Sequence, residues 1–301
     1  MLRKILLYSI TLAALSAAPA LSQELTGTLK KIKDAGTIAL GHRESSVPFS
    51  YYDDKQQVVG YAMDLCYRIV DAVKTELKLA KLEARLNPVT SATRIPLMAN
   101  GTIDLECGST TNNVERQKQV WFTITHFVTA NRFVSKKSAN VKTVDDLRGK
   151  TIASTSGTTN IKQITEIGAR KGLNLNILAA KDHAEAFLMV ETGRAAAFVM
   201  DDILLYSLVA GSKAPQDYVI SADALSVEPY GIMLRRDDAP FKKVVDQAMI
   251  ATYRSGAIMP IYDKWFLKPI PPKGINLNVP MSDSFKKVIA SPTDSGDPAV
   301  Y

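Results

Sequence analysis

The chain has 301 residues, enough for two domains with sizeable cores, and its 46% hydrophobic and 22% charged residues exclude wholesale disorder. A formal net charge of +7 without a long Lys/Arg block argues against nucleic acid as a partner. Two cysteines and three histidines, none at metal-ligand spacing, argue against a four-ligand zinc site, and no cofactor or metal is expected.

The first residues read as an address. Met1 to Lys4 is a short basic start, Ile5 to Leu21 is almost continuously apolar or small, and Ala20 and Ser22 are small residues at the −3 and −1 positions of a cleavage site after Ser22. An uncleaved anchor is the alternative; Pro19 and the small residues beside it fit a cleavage region better than a stable span. Removing residues 1–22 takes away Arg3 and Lys4 and no acid, so the formal charge falls from +7 to +5. The mature protein is expected to be exported and soluble. Cys66 and Cys107 would then meet an oxidising compartment. They can bridge or remain two buried thiols, because sequence does not supply the Cα distance that decides it.

Along the chain, strands and helices alternate. Thr37 to Leu40 reads as a buried strand, and Met63 to Leu79 as a helix with Leu65, Ile69, Val70, Val73 and Leu77 on one face. Leu82 to Val89 is a strand, Arg94 to Asn100 a short helix closed by Gly101, Thr102 to Cys107 a strand, and Asn112 to Gln119 a polar helical turn. Phe122 to Val134 is extended. A second series begins with a short helix over Val144 to Leu147, opened by a Thr143–Asp146 capping box. Strands follow at Thr151 to Ser154, Leu175 to Ala179 and Ala195 to Met200. Helices run over Thr158 to Lys171, His183 to Thr192 (capped by Asp182) and Asp202 to Val209. Tyr230 to Leu234 is a returning strand, Phe241 to Arg254 and Ile258 to Phe266 are helices, and the last 20 or so residues have a weak pattern.

This alternation predicts an α/β fold of two lobes with parallel, doubly wound sheets, the stretches near 127–134 and 228–235 being the crossovers. Ligands bind beyond the carboxyl ends of strands in such sheets, so the cleft between lobes is the expected site. The expected boundaries are residues 23–128 plus 234–301 for lobe 1 and 129–233 for lobe 2.

The loops after the strands carry the chemistry. Gly108-Ser109-Thr110-Thr111-Asn112-Asn113 leads into Val114-Glu115-Arg116, and Thr155-Ser156-Gly157-Thr158-Thr159 leads into a helix. Each is an ordinary N-cap or an anion cradle of backbone N–H and hydroxyl donors; two on paired lobes favour the cradle. Arg116 could add a bidentate fork to a carboxylate. Arg43, Arg94 and Arg116 all follow strand ends of one lobe, and Asp201 follows a strand of the other, where it is a helix cap or a partner for a ligand ammonium. His183 reads as a solvated helix start or a site residue, and Phe49, Tyr51 and Tyr52 as lobe packing. No G-x-S-x-G, H-E-x-x-H, P-loop or G-x-G-x-x-G occurs.

Several of these segments together resemble one family. They are Gly41 to Tyr51, Thr90 to Leu97, Glu106 to Arg116, Thr155 to Thr159, Ala180 to His183 and Met200 to Asp202. The whole mature chain resembles the periplasmic solute-binding proteins (family 3) that feed polar amino acids to ABC transporters, and within them the glutamate/aspartate-binding branch. The resemblance implies a two-lobed flytrap fold with two hinge crossovers that captures L-glutamate or L-aspartate and delivers it to transporter membrane subunits. It further implies that Thr111 and Arg116 take the ligand α-carboxylate, and that Ser109 and Asp201 hold the α-ammonium. Arg43, Ser91 and Arg94 would meet the side-chain carboxylate, with Thr159 and His183 closing from the other lobe. A monomer is expected. The competing reading is an exported amino-acid-processing enzyme, a lyase or dehydratase, on the same scaffold; His183 and Glu44 are its only acid–base candidates, neither with an evident partner. A receptor's ligand-sensing domain is a third reading, disfavoured because no membrane or signalling segment follows.

Overall fold

The structure, a computed structural model, describes residues 25–301, and the expected leader with its cleavage position lies outside them. The first sheet has five strands in the order Glu83–Pro88, Thr37–His42, Leu105–Cys107, Met233–Arg235, Val120–Phe122. Thr37–His42 pairs in parallel with both neighbours, and Met233–Arg235 runs antiparallel to both of its own. The second sheet runs Asn176–Ala180, Thr151–Thr155, Ala197–Asp201, Phe127–Lys136, Tyr218–Ile220, with Ser226–Tyr230 also paired to Phe127–Lys136. A small third sheet joins Ser45–Ser46, Ser50–Tyr52 and Val58–Val59.

The fold is therefore α/β and two-lobed, as expected, but its two large sheets are mixed rather than parallel. The cause lies in the crossings. A strand arriving from the other lobe enters at the cleft, where the parallel strands end, and can only run away from it. Phe127–Lys136 does this and is antiparallel to Ala197–Asp201. The single run expected over Phe122 to Val134 is two strands, Val120–Phe122 in one sheet and Phe127–Lys136 in the other. The run expected over Tyr230 to Leu234 is likewise divided, Ser226–Tyr230 in the second sheet and Met233–Arg235 in the first. The two crossing segments are tied to each other between the sheets by Thr123 N–H to Ile232 O (2.9 Å) and His126 N–H to Tyr230 O (2.8 Å).

Helices match the periodic segments. Tyr61–Glu76 buries Leu65, Cys66, Ile69, Val70 and Val73. Thr159–Lys171 is capped by the Thr158 side chain, and Thr143 and Asp146 form the expected capping box. Gly27–Ala35 is a helix the pattern did not suggest, and Asp283–Ala290 forms where the pattern is weak, burying only Phe285 and Val288. Cys66 and Cys107, 41 residues apart, are disulfide-bonded with their Cα atoms 6.1 Å apart, which ties Tyr61–Glu76 to the central strand Leu105–Cys107. No helix among the described residues is long and apolar enough to cross a membrane.

Phe49 and Tyr51 are packing residues as expected. Phe49 centres an aromatic cluster with Tyr61, Phe127, Tyr230 and Phe266 at the crossings, while Tyr52 sets its ring edge-on to His42 at 5.4 Å. His126 is wholly buried in the same cluster, and neither ring nitrogen has a hydrogen-bond partner. Burial pushes its imidazole from 6.5 down to about 3. The folded protein therefore keeps His126 neutral, while the unfolded chain takes up its proton below pH 6.5. Stability complete above that pH is lost as pH falls toward 3, at up to about 1.4 kcal/mol per pH unit. His126→Phe is expected to flatten the slope of unfolding free energy between pH 5 and 6.5, read by urea denaturation. An unchanged slope would put the acid sensitivity elsewhere.

Candidate functional site

Each loop named from the sequence sits at the carboxyl end of a strand, on the side where the two large sheets face each other. Arg43 directly follows Thr37–His42; its N–H donates to Ser50 Oγ (2.9 Å) and its Nη2 to Ser91 Oγ (2.8 Å). Arg94 opens the helix Arg94–Ala99 and donates through Nη1 to Thr110 Oγ1 and to Ser109 O (3.4 Å). Asn113 caps the helix Val114–Gln117 by accepting from Arg116 N–H (2.8 Å), which turns the Arg116 side chain back so that Nη1 donates to Thr111 O (2.8 Å). The preceding Asn112 donates to Asp294 O (2.8 Å), so the C-terminal segment holds this loop from behind.

From the second sheet, Thr159 opens its helix and donates to Glu228 Oε2 (3.1 Å). His183 opens the helix His183–Glu191, which Asp182 caps, and its Nδ1 lies 2.9 Å from Thr155 Oγ1. Asp201 ends Ala197–Asp201 and accepts from Asn160 Nδ2 (2.7 Å) and from the Tyr230 hydroxyl.

Ser91, Arg94, Ser109, Thr111, Thr159, His183 and Asp201 line one small space, with Thr158, Asn160, Met200 and Leu204. Arg43 and Arg116 are not on that lining; each adjoins it through a bond to a lining residue, Ser91 and Thr111 respectively. The lobes meet around the space. Arg116 Nη2 donates to Gly157 O across the cleft at 3.2 Å, and the Thr111 and Thr159 hydroxyls are 3.5 Å apart. Gly157 has φ +76, and a Cβ there would lie 2.5 Å from Ala92 Cα, so only glycine permits this approach of one lobe's loop to the other's.

The electrostatics are those of a site for a charged, dipolar molecule. Burial, then Arg94, lowers Arg43 to about 10 and Arg116 to about 9, and both remain cations at neutral pH. Burial, then the Glu228 carboxylate, raises the Asp201 carboxyl well above its usual range. A cation beside Asp201 would reverse that. Burial, then Arg43 and Arg94, pushes His183 far below its ordinary value, so it is a neutral imidazole. Arg43 Nη1, Arg94 Nε, Ser109 Oγ and His183 Nε2 are buried polar atoms without a hydrogen-bond partner. Such atoms are uncommon in folded proteins; Arg94, Ser109 and His183 line the space and Arg43 adjoins it, which marks a place for acceptors brought by a ligand.

Glu106, Thr110, Asn160, Glu228 and Tyr230 belong to this network and were not among the candidates. Asn160 directly follows the Thr158-Thr159 pair and could have been found. Glu228 and Tyr230 lie on a crossing strand whose sequence reads only as extended backbone. No cluster of His, Cys, Asp or Glu able to hold a metal ion occurs among the described residues.

Residues 38–268 match the family of bacterial extracellular solute-binding proteins, family 3. A protein of Pseudomonas aeruginosa named L-glutamate/L-aspartate-binding protein is 55% identical, over 96% of this chain and 96% of its own. The glutamate/aspartate import solute-binding protein of Escherichia coli K12 is 47% identical, over 92% and 91%. Among solved structures, a mutant of ArgBP from T. maritima superposes with a TM-score of 0.71 at 27% identity, covering 79% of this chain and 99% of that one. The mixed two-sheet architecture, the cleft between the sheets and these matches lead to one assignment: the chain belongs to the bacterial extracellular solute-binding proteins, family 3.

Proposed function

We propose that this protein captures L-glutamate or L-aspartate between its lobes and delivers it to the membrane subunits of an ABC transporter. The observation that carries this reading is the arrangement of charge. Buried arginines with unpartnered donors lie on one side of the cavity, and Asp201 lies on the other. Arg116 and Thr111 suit the α-carboxylate end, Ser109 and Asp201 the α-ammonium, and Arg43, Ser91 and Arg94 the side-chain carboxylate, with Thr159 and His183 closing over it. The names of the Pseudomonas and Escherichia relatives support the same ligands. Desolvating two carboxylates and an ammonium is costly unless each is paired, and this set pairs all three.

Lobe 1 comprises residues 23–128 and 234–301, and lobe 2 residues 129–233. Export follows cleavage after Ser22 and places the protein in the periplasm, where it works as a monomer. The enzyme reading lacks such support. Glu44 is exposed and off the cavity lining, and His183 is neutral with no proton donor in reach of Nε2. The relatives, too, are named as binding proteins.

Calorimetric titration with glutamate, aspartate, glutamine, asparagine and arginine tests the assignment, with chromatography of the recovered ligand. Acidic ligands are expected to bind with a dissociation constant near micromolar, about −8 kcal/mol, and to be recovered unchanged. Contacts from both lobes favour the closed arrangement, so glutamate is also expected to reduce the radius of gyration in solution scattering. Turnover of the ligand, or equal affinity for glutamine, would overturn the assignment.

A further inference from the structure

Glu106 lies on the central strand Leu105–Cys107 and is completely buried. Its Oε2 accepts from the Thr110 hydroxyl, whose oxygen in turn accepts from Arg94 Nη1. Its Oε1 has no hydrogen-bond partner and lies 4.0 Å from Arg94 Nη1. The carboxylate lies near the stem of Arg43, since a Cβ at Gly108 would run into both Glu106 Oε1 and Arg43 Cγ. One acid thus acts through space on two buried arginines, and it is held to one of them, Arg94, through a hydroxyl rather than by a direct bond.

A carboxylate placed this way does two things. It neutralises part of the charge that Arg43 and Arg94 would otherwise bury uncompensated, which lets the pair exist before a ligand arrives. It also competes, through space, with any carboxylate the ligand brings to the same pair. We infer that Glu106 is the resident counter-ion of the Arg43–Arg94 pair and a specificity-determining residue, weakening the hold on an acidic side chain more than on a neutral one. The inference rests on the dicarboxylate assignment made above. It gives Glu106 a physical role that direct contact with the ligand does not require. Affinity for the acid is set below its maximum, which suits a protein that must release what it binds.

Glu106→Gln tests it. Glutamine keeps the shape and an acceptor for the Thr110 hydroxyl, and removes only the charge. Calorimetry with glutamate and glutamine on wild type and variant gives the acid-to-amide affinity ratio. The ratio is expected to rise roughly tenfold, because glutamate binding tightens more than glutamine binding. The ligand-free variant is expected to melt at a lower temperature, and glutamate to restore more of that loss than in wild type. Acid and amide affinities falling together would mean that Glu106 merely supports the loop, and an unchanged ratio would likewise overturn the inference. Should Glu106→Gln not fold, Glu106→Asp retains the charge but draws it away from Arg94, and the ratio should move in the same direction by a smaller factor; no movement overturns the inference. A wild type without acid preference would instead sink the dicarboxylate assignment, so the two failures are distinct.

Discussion

Arg116→Ala is expected to abolish measurable binding of every amino-acid ligand while leaving the protein folded. The guanidinium is buried and does two jobs in the closed arrangement. It shapes the anion loop by donating to Thr111 O at 2.8 Å, and it ties the lobes by donating to Gly157 O at 3.2 Å. In the proposed complex it also faces the α-carboxylate that all amino acids share, so acids, amides and cationic ligands should lose affinity together. Truncating one member of a buried, hydrogen-bonded charge pair typically costs about 2–5 kcal/mol, or roughly 30- to 5,000-fold. Starting near micromolar, the upper part of that range lies beyond ordinary calorimetric detection. The carboxylates of Asp201, Glu228 and Glu106 all act on Arg116 and would lose a cation, yet none of them is bonded to it. Circular dichroism and a cooperative melt should therefore report an intact fold. Near-native affinity would remove Arg116 from the site.

How far the sequence discloses this site follows from what it can encode locally. Parallel α/β topology sends every loop after a strand to the same edge, so Arg43, Arg94, Thr111, His183 and Asp201 could be placed together once their strands were recognised. Capping chemistry is equally local, and Thr143, Thr158 and Asp182 behave as their spacing suggests. Sheet membership is not local. Ser226–Tyr230 and Met233–Arg235 read as one extended run although the chain changes sheets between them. The same blindness hid Glu228 and Tyr230, whose partners Thr159 and Asp201 are 69 and 29 residues away. Glu106 looked like part of a buried strand, and nothing in a strand's pattern says that an acid faces two arginines. The Cys66–Cys107 bridge needed the packing of Tyr61–Glu76 on Leu105–Cys107 before it could be decided.

Replacing both Arg43 and Arg94 by glutamine is expected to erase the preference for acids over amides. Wild type should favour glutamate over glutamine, and aspartate over asparagine, by at least roughly a hundredfold, about 2.7 kcal/mol. Arg43 Nη1 and Arg94 Nε are buried donors without a partner, and neither guanidinium offers an acceptor. A carboxylate satisfies both donors and their charge. An amide brings one acceptor and two donors, so part of the pair stays unmatched, and a site built for one polar group rejects an analogue that leaves its own groups unpaired. Glutamine side chains at 43 and 94 present donors and acceptors alike, and the ratio should shrink toward one, mostly through lost glutamate affinity. Arg116→Ala should weaken acids and amides in parallel, so the two experiments separate recognition of the amino-acid backbone from recognition of its side chain. Glu106 would be left without its arginine partners in the double variant, and a lower melting temperature is expected with it. A titration in which the double variant keeps a hundredfold preference for glutamate would assign side-chain recognition to other residues, with Ser91, Thr159 and His183 as the next to replace.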